Sequence, residues 1–336
     1  QPLPRRGRPG TVPVGAGEVC SAALEGQAAS SSLGGATVVA VAVGLALRGG
    51  EVMRATGEFL RLRVAGVPLW AFWLLMAALS VVGYLLDQPD GGASAFFIDN
   101  KTRRMIPTTA VDKVRYWLKV ALLFVALYIE QSILFQPLAE RRRKKDAGDE
   151  AAATLVPIRE WICLLCGAAF VGRVLLQMAV FWSRSISWVE VFAETGIIIP
   201  LSLASLAFGA SRKRGAKLGF VEVIGVFLFL AGTFLNVWPE YTRYLWKLDP
   251  AHKGHLYTGG LFALCRHINY FGEVISFVGF ALATSAWWNL WIPIVMGIGL
   301  AFFSVPELDT YLSVKYASEW AAYTQEVRWQ MIPFVW

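Results

Sequence analysis

Four polar residues stand at the start of a membrane-length apolar segment, GGLFALCRHINYFGEVISFVGFALATS, at positions 259–285. Arg266, Asn269 and Glu273 occur at i, i+3 and i+7, so a helix through them would place all three on one stripe. His267 lies beside the first of them. A charged group at bilayer depth costs roughly 2.5–3.5 kcal/mol on insertion scales, so it usually faces a cavity or a partner. The pattern predicts a polar pocket where a packed helix meets the membrane surface.

A second polar stripe precedes the first, in LAGTFLNVWPEYTRYLWKLDP. Asn236, Glu240, Arg243 and Lys247 occur at i, i+4, i+7 and i+11, and at ~100° per residue they fall on one face of a helix. Lys and Arg would bind phosphate groups, while Asn and Glu would orient amide or ribose groups. The stripe therefore suits a ligand that carries both phosphates and amides. The alternative is a helix end whose charges form i,i+4 salt bridges at the membrane surface.

Further ionisable residues lie inside apolar segments, where each is a functional candidate by default. They are Glu130, Arg173, Glu190, Glu194 and Glu222. Glu130 is close in sequence to Tyr128, and a carboxyl near a phenol can polarise a carbonyl oxygen. Glu190 and Glu194 stand one helical turn apart and are expected to share an inward face. The structural alternative for Arg173 is an ion pair with one of these glutamates.

The elements that must position these residues are membrane-spanning helices. Of 336 residues, 56% are hydrophobic and 16% are charged, which is typical of a polytopic membrane protein. We predict an all-α polytopic membrane helix bundle of about seven spans, which ends in a C-terminal helical hairpin. The spans are predicted at 66–86, 117–135, 160–182, 188–208, 219–238, 271–285 and 287–306, with a weaker candidate at 36–47. Gly272 and Ser276 form a small-xxx-small pair that would let a neighbouring helix approach closely.

The chain divides into three parts by composition. Residues 1–35 are rich in Gly, Ala, Ser, Pro and Arg and poor in acids, which predicts a disordered or targeting segment rather than part of the fold. A transit peptide and a signal peptide with 36–47 as its core both fit this composition. Residues 36–215 are predicted to be the N-terminal transmembrane helices, and 216–336 a C-terminal transmembrane domain.

The net charge of +7 does not indicate nucleic acid, because the charges sit in short loops between spans. The basic runs at 141–145 and 212–217 are separated by two spans and therefore lie on one side of the bilayer. Their expected partner is the lipid headgroup region. The basic region 240–270 would fall on the opposite side. Either one span is miscounted, or this region folds back, or its charges serve a ligand.

Metal and common nucleotide motifs are missing from the sequence. Cys163 and Cys166 form a C-x-x-C inside an apolar helix without a second Cys/His pair, so we interpret them as packing residues. The three histidines form neither H-x-x-x-H nor H-E-x-x-H, so no metal is expected. Neither a P-loop nor a strand-linked G-x-G-x-x-G occurs. A nucleotide would have to be held by other means.

The C-terminal motifs resemble those of the steroid 5-alpha-reductase-like membrane proteins. That family's signature reads GGLF, then PNYFGE, then an apolar run, and an uncharacterised branch carries RHPNYFGE; here GGLF is followed by CRHINYFGE. Upstream, LNVWPE resembles the family's Asn-x-x-x-Asp element. The chain's end, TYLSVKYASEWAAYTQEVRWQMIPFVW, resembles its Tyr-rich closing segment with a terminal IPF. The resemblance covers residues 216–336.

The resemblance implies that the C-terminal hairpin binds NADPH. Asn236, Glu240 and Lys247 fall on family positions that contact the dinucleotide. Asn269 and Glu273 fall on the residues that grip its nicotinamide end. A residue of the closing segment, Tyr311, falls on a further contact, and we expect Arg243, Arg266 and His267 to take part in cofactor binding.

The implied activity is reduction of a carbon–carbon double bond in a lipid-soluble substrate that enters from the bilayer, such as a sterol, steroid or polyprenoid. The membrane would be the endoplasmic reticulum or that of another organelle. Candidates for the acid that polarises the substrate are Tyr270, Tyr257 and the Tyr128/Glu130 pair.

The sequence departs from the family where Ile268 replaces Pro, Glu240 replaces Asp and Lys247 replaces Arg. Two other classes stay open. Membrane methyltransferases that use S-adenosylmethionine carry RHP-x-Y-x-G and then EE-x-x-L, whereas the corresponding stretch here is LDTYL at 308–312. The other class is a non-enzymatic lipid binder.

Overall fold

The computed structural model describes residues 56–87, 110–146, 158–182, 186–213 and 216–336. In these ranges the chain is almost wholly helical, apart from one antiparallel hairpin of β1 (Arg63–Val64) and β2 (Val67–Pro68). The hairpin turns at Gly66, whose φ is +80°. This turn is why the first membrane-spanning helix begins at Leu69 and not at the predicted position 66.

The helices are numbered in chain order. They are α1 (Leu69–Asp87), α2 (Ala110–Asp146), α3 (Ile158–Leu176), α4 (Ile199–Arg212), α5 (Phe220–Lys247), α6 (Ile268–Ala283), α7 (Trp291–Gly299) and α8 (Val305–Glu326). Three π-helical segments extend them: Gln177–Phe181 follows α3, Glu190–Ile198 leads into α4, and Leu300–Ser304 joins α7 to α8.

Six helical stretches in the described ranges are long and apolar enough to cross a membrane. They are Leu69–Leu86, Ala110–Phe135, Ile158–Phe181, Glu190–Arg212, Phe220–Lys247 and Trp287–Glu326. A shorter apolar helix, α6, is the seventh segment. The predicted all-α polytopic bundle is confirmed, and the chain is an integral membrane protein. The predicted targeting segment at 1–35 and the weak span at 36–47 lie outside the described residues.

Helices α5 and α6 pack against each other almost backbone to backbone. A Cβ built on Gly232 would lie 2.3 Å from the Ser276 nitrogen, and one on Gly272 would lie 2.5 Å from the Asn236 nitrogen. Two turns after Gly272 in α6, a Cβ on Gly279 would lie 2.2 Å from the Phe229 nitrogen. The predicted close approach at Gly272 and Ser276 is therefore confirmed.

One end of the bundle is closed by a buried arginine. Arg159, at the start of α3, donates to the carbonyl oxygens of Lys213 at 2.5 Å and Lys217 at 3.2 Å in the α4–α5 loop. It also pairs with Glu222 of α5 at 3.0 Å, and Ser285, beyond α6, donates to the same carboxylate. These bonds place the start of α3, the end of α4, the start of α5 and the end of α6 together.

The loop between α5 and α6 lies at the other end. Because α5 is 28 residues long and runs without interruption from Phe220 to Lys247, residues 248–267 are separated from the α4–α5 loop by a full span. The sequence left three explanations for the basic region 240–270. The uninterrupted α5 removes the first explanation, a miscounted span, and leaves the other two, that the region folds back or that its charges serve a ligand.

Candidate functional site

The two predicted polar stripes meet across the α5–α6 contact. Asn236 of α5 donates from Nδ2 to the Glu273 carboxylate at 2.9 Å and to the Asn269 carbonyl oxygen at 3.0 Å. The side chain of Asn236 is buried. The close helix contact makes these short side-chain bonds possible, since bulkier residues at the glycine positions would hold the helices apart.

Helix α3 and the π-helical segment that follows it complete this network with two residues that the sequence did not assign to it. Arg173 donates to Glu273 at 2.7 Å and to the Ser276 hydroxyl at 3.4 Å. Gln177, one turn later, donates to Asn236 Oδ1 at 2.7 Å. Arg173 thus forms an ion pair, as the structural alternative expected, but its partner is Glu273 and not one of the four glutamates considered with it. We call Arg173, Gln177, Asn236, Asn269 and Glu273 the hairpin network.

The rest of the α5 stripe runs from the hairpin network toward the aqueous end. Asn269 donates from Nδ2 to Glu240 at 3.2 Å, and Glu240 also pairs with Arg243. Lys247 is exposed and donates to the Tyr316 hydroxyl of α8 at 3.1 Å. The predicted stripe of Asn236, Glu240, Arg243 and Lys247 thus forms a path of increasing exposure.

Arg266 does not belong to the α6 stripe, and that prediction is wrong. Helix α6 begins at Ile268, because the backbone N–H groups of Arg266 and His267 donate to the carbonyl oxygens of Trp329 and Gln330 in the C-terminal segment. The Arg266 guanidinium donates to Val327 O at 3.0 Å and to Asp309 at 3.2 Å.

His267 is held by the same two parts of the chain as Arg266, the C-terminal segment and Asp309 of α8. Its Nε2 is 2.6 Å from Asp309 Oδ1, and its ring stacks on that of Tyr270 with centroids 5.5 Å apart. Tyr311, on the helix that carries Asp309, accepts a hydrogen bond from Lys315 at 2.8 Å. Tyr257, in the α5–α6 loop, packs against Trp246 near the end of α5. All these predicted residues lie at the hairpin-network end of the bundle.

The predicted Tyr128/Glu130 pair does not form. Residues two apart on a helix point to different faces. Tyr128 is 53% exposed, whereas Glu130 is fully buried against Gly167 of α3, with one oxygen 3.6 Å from Cys163 Sγ. Glu130 therefore packs between α2 and α3, and Tyr128 points away from it.

A second charged cluster, which the sequence identified only in part, joins α2 to the π-helical segment before α4. Lys119, fully buried, lies 2.5 Å from Glu190 and 3.6 Å from Glu194. Its ammonium also lies 4.8 Å from the centre of the Trp182 ring. The expectation that Glu190 and Glu194 share a face is confirmed, and Lys119 is the residue that the sequence analysis missed.

The cysteines of the described ranges, Cys163, Cys166 and Cys265, are free and buried. Within those ranges no group of three or more His, Cys, Asp or Glu residues could hold a metal. Cys265 donates to the Gln330 carbonyl oxygen at 3.2 Å, and burial raises the pKa of its thiol to about 11.

Comparison with known proteins matches the C-terminal half of the chain. Residues 173–327 match the family described as "Protein of unknown function (DUF1295)". A "Probable O-methyltransferase ustE" of Ustilaginoidea virens is 35% identical over 121 residues, which are 33% of this chain and 40% of that protein.

Two further relatives are named "3-oxo-5-alpha-steroid 4-dehydrogenase 2". The protein of Macaca fascicularis is 34% identical and that of Homo sapiens 33%, each over 82 residues. Those residues are 24% of this chain and 29% of each relative. The chain therefore spans less than half of the length of the curated relatives that it matches.

Proposed function

We propose that the protein is a membrane-embedded, NADPH-dependent reductase of the steroid 5-alpha-reductase-like family, a proposal that the similarity of its C-terminal half to the two 3-oxo-5-alpha-steroid 4-dehydrogenases supports. Its proposed substrate is a lipid-soluble molecule with an electron-poor carbon–carbon double bond, such as a sterol, steroid or polyprenoid. Its proposed location is the endoplasmic reticulum or another organellar membrane. The observation that carries the proposal is the hairpin network.

The donor set of this end of the bundle fits a dinucleotide. Asn269 and Glu240 are half-buried and supply amide and carboxylate groups that match a carboxamide or ribose hydroxyls. Arg243, 40% exposed, and the exposed Lys247 supply cations for the phosphates. Bound there, NADPH would supply the hydride that reduces the substrate.

The more buried members of the network are suited to a supporting role. Both oxygens of Glu273 already accept hydrogen bonds, from Arg173 and Asn236. Asn236 in turn is bonded to Gln177. We therefore assign Asn236 to orienting the helix pair, with Glu273 and Asn269 nearest the nicotinamide. Preorganised groups of this kind avoid reorganisation when the ligand binds.

The acid that polarises the substrate is assigned to Tyr270 or Tyr257. Both lie at the hairpin-network end of the bundle, Tyr270 in the first turn of α6 and Tyr257 in the preceding loop. The Tyr128/Glu130 pair does not supply this acid, because Tyr128 is exposed whereas Glu130 is fully buried.

The second candidate function is a methyltransferase that uses S-adenosylmethionine. Arg266 and His267 both bind Asp309, so the RH motif and the 308–312 stretch form one unit, as a shared binding element would. The match to the O-methyltransferase also covers more residues, 121, than the matches to the reductases. The hairpin network favours the reductase, because it lies outside this unit.

The test is a titration of the purified protein in detergent with NADPH and, separately, with S-adenosylmethionine. We expect saturable NADPH binding that Asn269→Ala and Glu273→Ala abolish. The matched control is Asn289→Ala, because Asn289 is a buried asparagine that bonds Thr284 and Ser205 far from the network. Binding of S-adenosylmethionine without NADPH would establish the methyltransferase, and binding of neither would indicate a non-enzymatic lipid binder.

A further inference from the structure

The hairpin network and its outer extension contain two carboxylates and two guanidinium groups. Glu273 pairs with Arg173 at 2.7 Å, and Glu240 pairs with Arg243. The Asn269 side chain bonds Glu240, and its carbonyl oxygen bonds Asn236, which links the two ion pairs. The formal charge of the four groups is zero.

The two ion pairs differ in their contact with water. The Arg173 side chain is 3% exposed, whereas that of Arg243 is 40% exposed. Interactions of buried charges are screened much less than those of exposed ones. At the inner end, where Glu273 lies, the charge of Arg173 therefore has a larger electrostatic effect than the charge of Arg243.

We propose that Arg173 is a positioning residue that sets the relative affinity for the oxidised and reduced forms of the dinucleotide. The inference rests on the proposed function. The nicotinamide ring is neutral in NADPH and carries a positive charge in NADP⁺, so a net negative charge beside it favours the oxidised form. By neutralising Glu273, Arg173 prevents the oxidised product from binding too tightly and inhibiting turnover.

The experiment is a double-mutant cycle on the ratio of the two dissociation constants, NADP⁺ over NADPH, measured by tryptophan fluorescence in detergent. In Arg173→Gln the carboxylate of Glu273 is left uncompensated, and we expect the ratio to fall about tenfold. In Glu273→Gln the guanidinium is left uncompensated, and we expect the ratio to rise. The double variant should return to within about threefold of the wild type, since charge is balanced again.

Two controls separate charge from packing. Arg173→Lys keeps the charge and should keep the wild-type ratio. Arg243→Gln removes an exposed cation that we assign to the phosphates, which both forms share, so it should weaken both forms equally. If Arg173 acted only as a structural brace, Arg173→Gln would weaken both forms equally, as Arg243→Gln does, and would leave the ratio unchanged.

Each outcome decides the inference. Equal weakening of both forms in Arg173→Gln, with an unchanged ratio in Glu273→Gln, would overturn it while leaving NADPH binding intact. If Arg173→Gln does not fold, Glu273→Gln decides alone, because its ratio must rise. If the wild type binds neither dinucleotide, the proposed function fails and takes this inference with it.

Discussion

The amide of Asn236 in α5 connects three helical elements, because it accepts from Gln177 of the π-helical segment after α3 and donates to Glu273 and to the Asn269 carbonyl oxygen of α6. Asn236→Asp keeps the shape but replaces the donor by an oxygen that faces the Glu273 carboxylate. We expect NADPH affinity to fall at least tenfold and the protein to lose about 1–3 kcal/mol of stability. Titration and thermal unfolding measure the two effects.

The matched control for that change is Asn289→Asp at the opposite end of the bundle. Asn289 is also fully buried and bonded to side chains of other elements. This variant should lose stability but keep its NADPH affinity. Equal loss of affinity in both variants would mean that Asn236 acts through global stability alone.

Lys119 and Glu190 form an ion pair whose side chains are both fully buried. Lys119→Met leaves the Glu190 carboxylate without this cation, so we expect a loss of about 3–5 kcal/mol in the free energy of unfolding. Replacing Lys119 and Glu190 by apolar residues should restore most of the loss, since the remaining carboxylate of the cluster, Glu194, is 37% exposed and therefore solvated. Unfolding in a mixed-micelle denaturant titration measures both variants, and an undiminished loss in the double variant would contradict the explanation.

Cys265 offers a pH-dependent test outside the membrane spans. Burial raises the pKa of its thiol from an ordinary value of 9.0 to about 11, so the folded state retains a proton that the unfolded state loses between these values. We expect Cys265 to resist alkylation at pH 8 until the protein unfolds, as mass spectrometry of the labelled peptide would show. The thiol's contribution to stability should decline as pH rises from about 9 to about 11. Rapid labelling of the folded protein would contradict this.

At the scale of the elements, the α5–α6 hairpin depends on glycine. A Cβ on Gly232 would lie 2.3 Å from the Ser276 nitrogen and 2.6 Å from the Gly272 oxygen, and neither backbone atom can move aside freely. Gly232→Ala should therefore separate the helices, break the Asn236–Glu273 bond and abolish NADPH binding. The control is Gly172→Ala in α3, where a Cβ would meet nothing within 4 Å. There, alanine should be neutral or stabilise by up to about 1 kcal/mol.

The sequence predicts the helices well, because membrane-length apolar runs and 3.6-residue periodicity are local signals. The same periodicity predicts the polar stripes on α5 and α6. The Arg173–Glu273 pair could not, since it joins residues 100 positions apart and depends on which helices pack together. The position of Arg266 was missed for a similar reason. Its backbone N–H bonds Trp329, near the chain's end, and no local pattern shows that α6 starts beyond it.

At the scale of the whole molecule, the bundle has two chemically different ends. Arg159 and Glu222 join the α4–α5 loop at one end, whereas the hairpin network lies toward the other. Lys217 and Lys253 are exposed in the loops before and after α5. If α5 crosses the bilayer, cysteines introduced at these two positions must face opposite aqueous compartments.

We therefore expect Lys217→Cys and Lys253→Cys, each in a Cys20→Ser background, to react with an impermeant maleimide from opposite sides of sealed vesicles of one orientation. NADPH does not cross the bilayer, so it should bind only from the side on which position 253 is labelled. This follows because Arg243 and Lys247 lie at that end of α5. Labelling of both positions from one side would show that α5 does not span. NADPH binding from the side of position 217 would separate the dinucleotide site from the hairpin network.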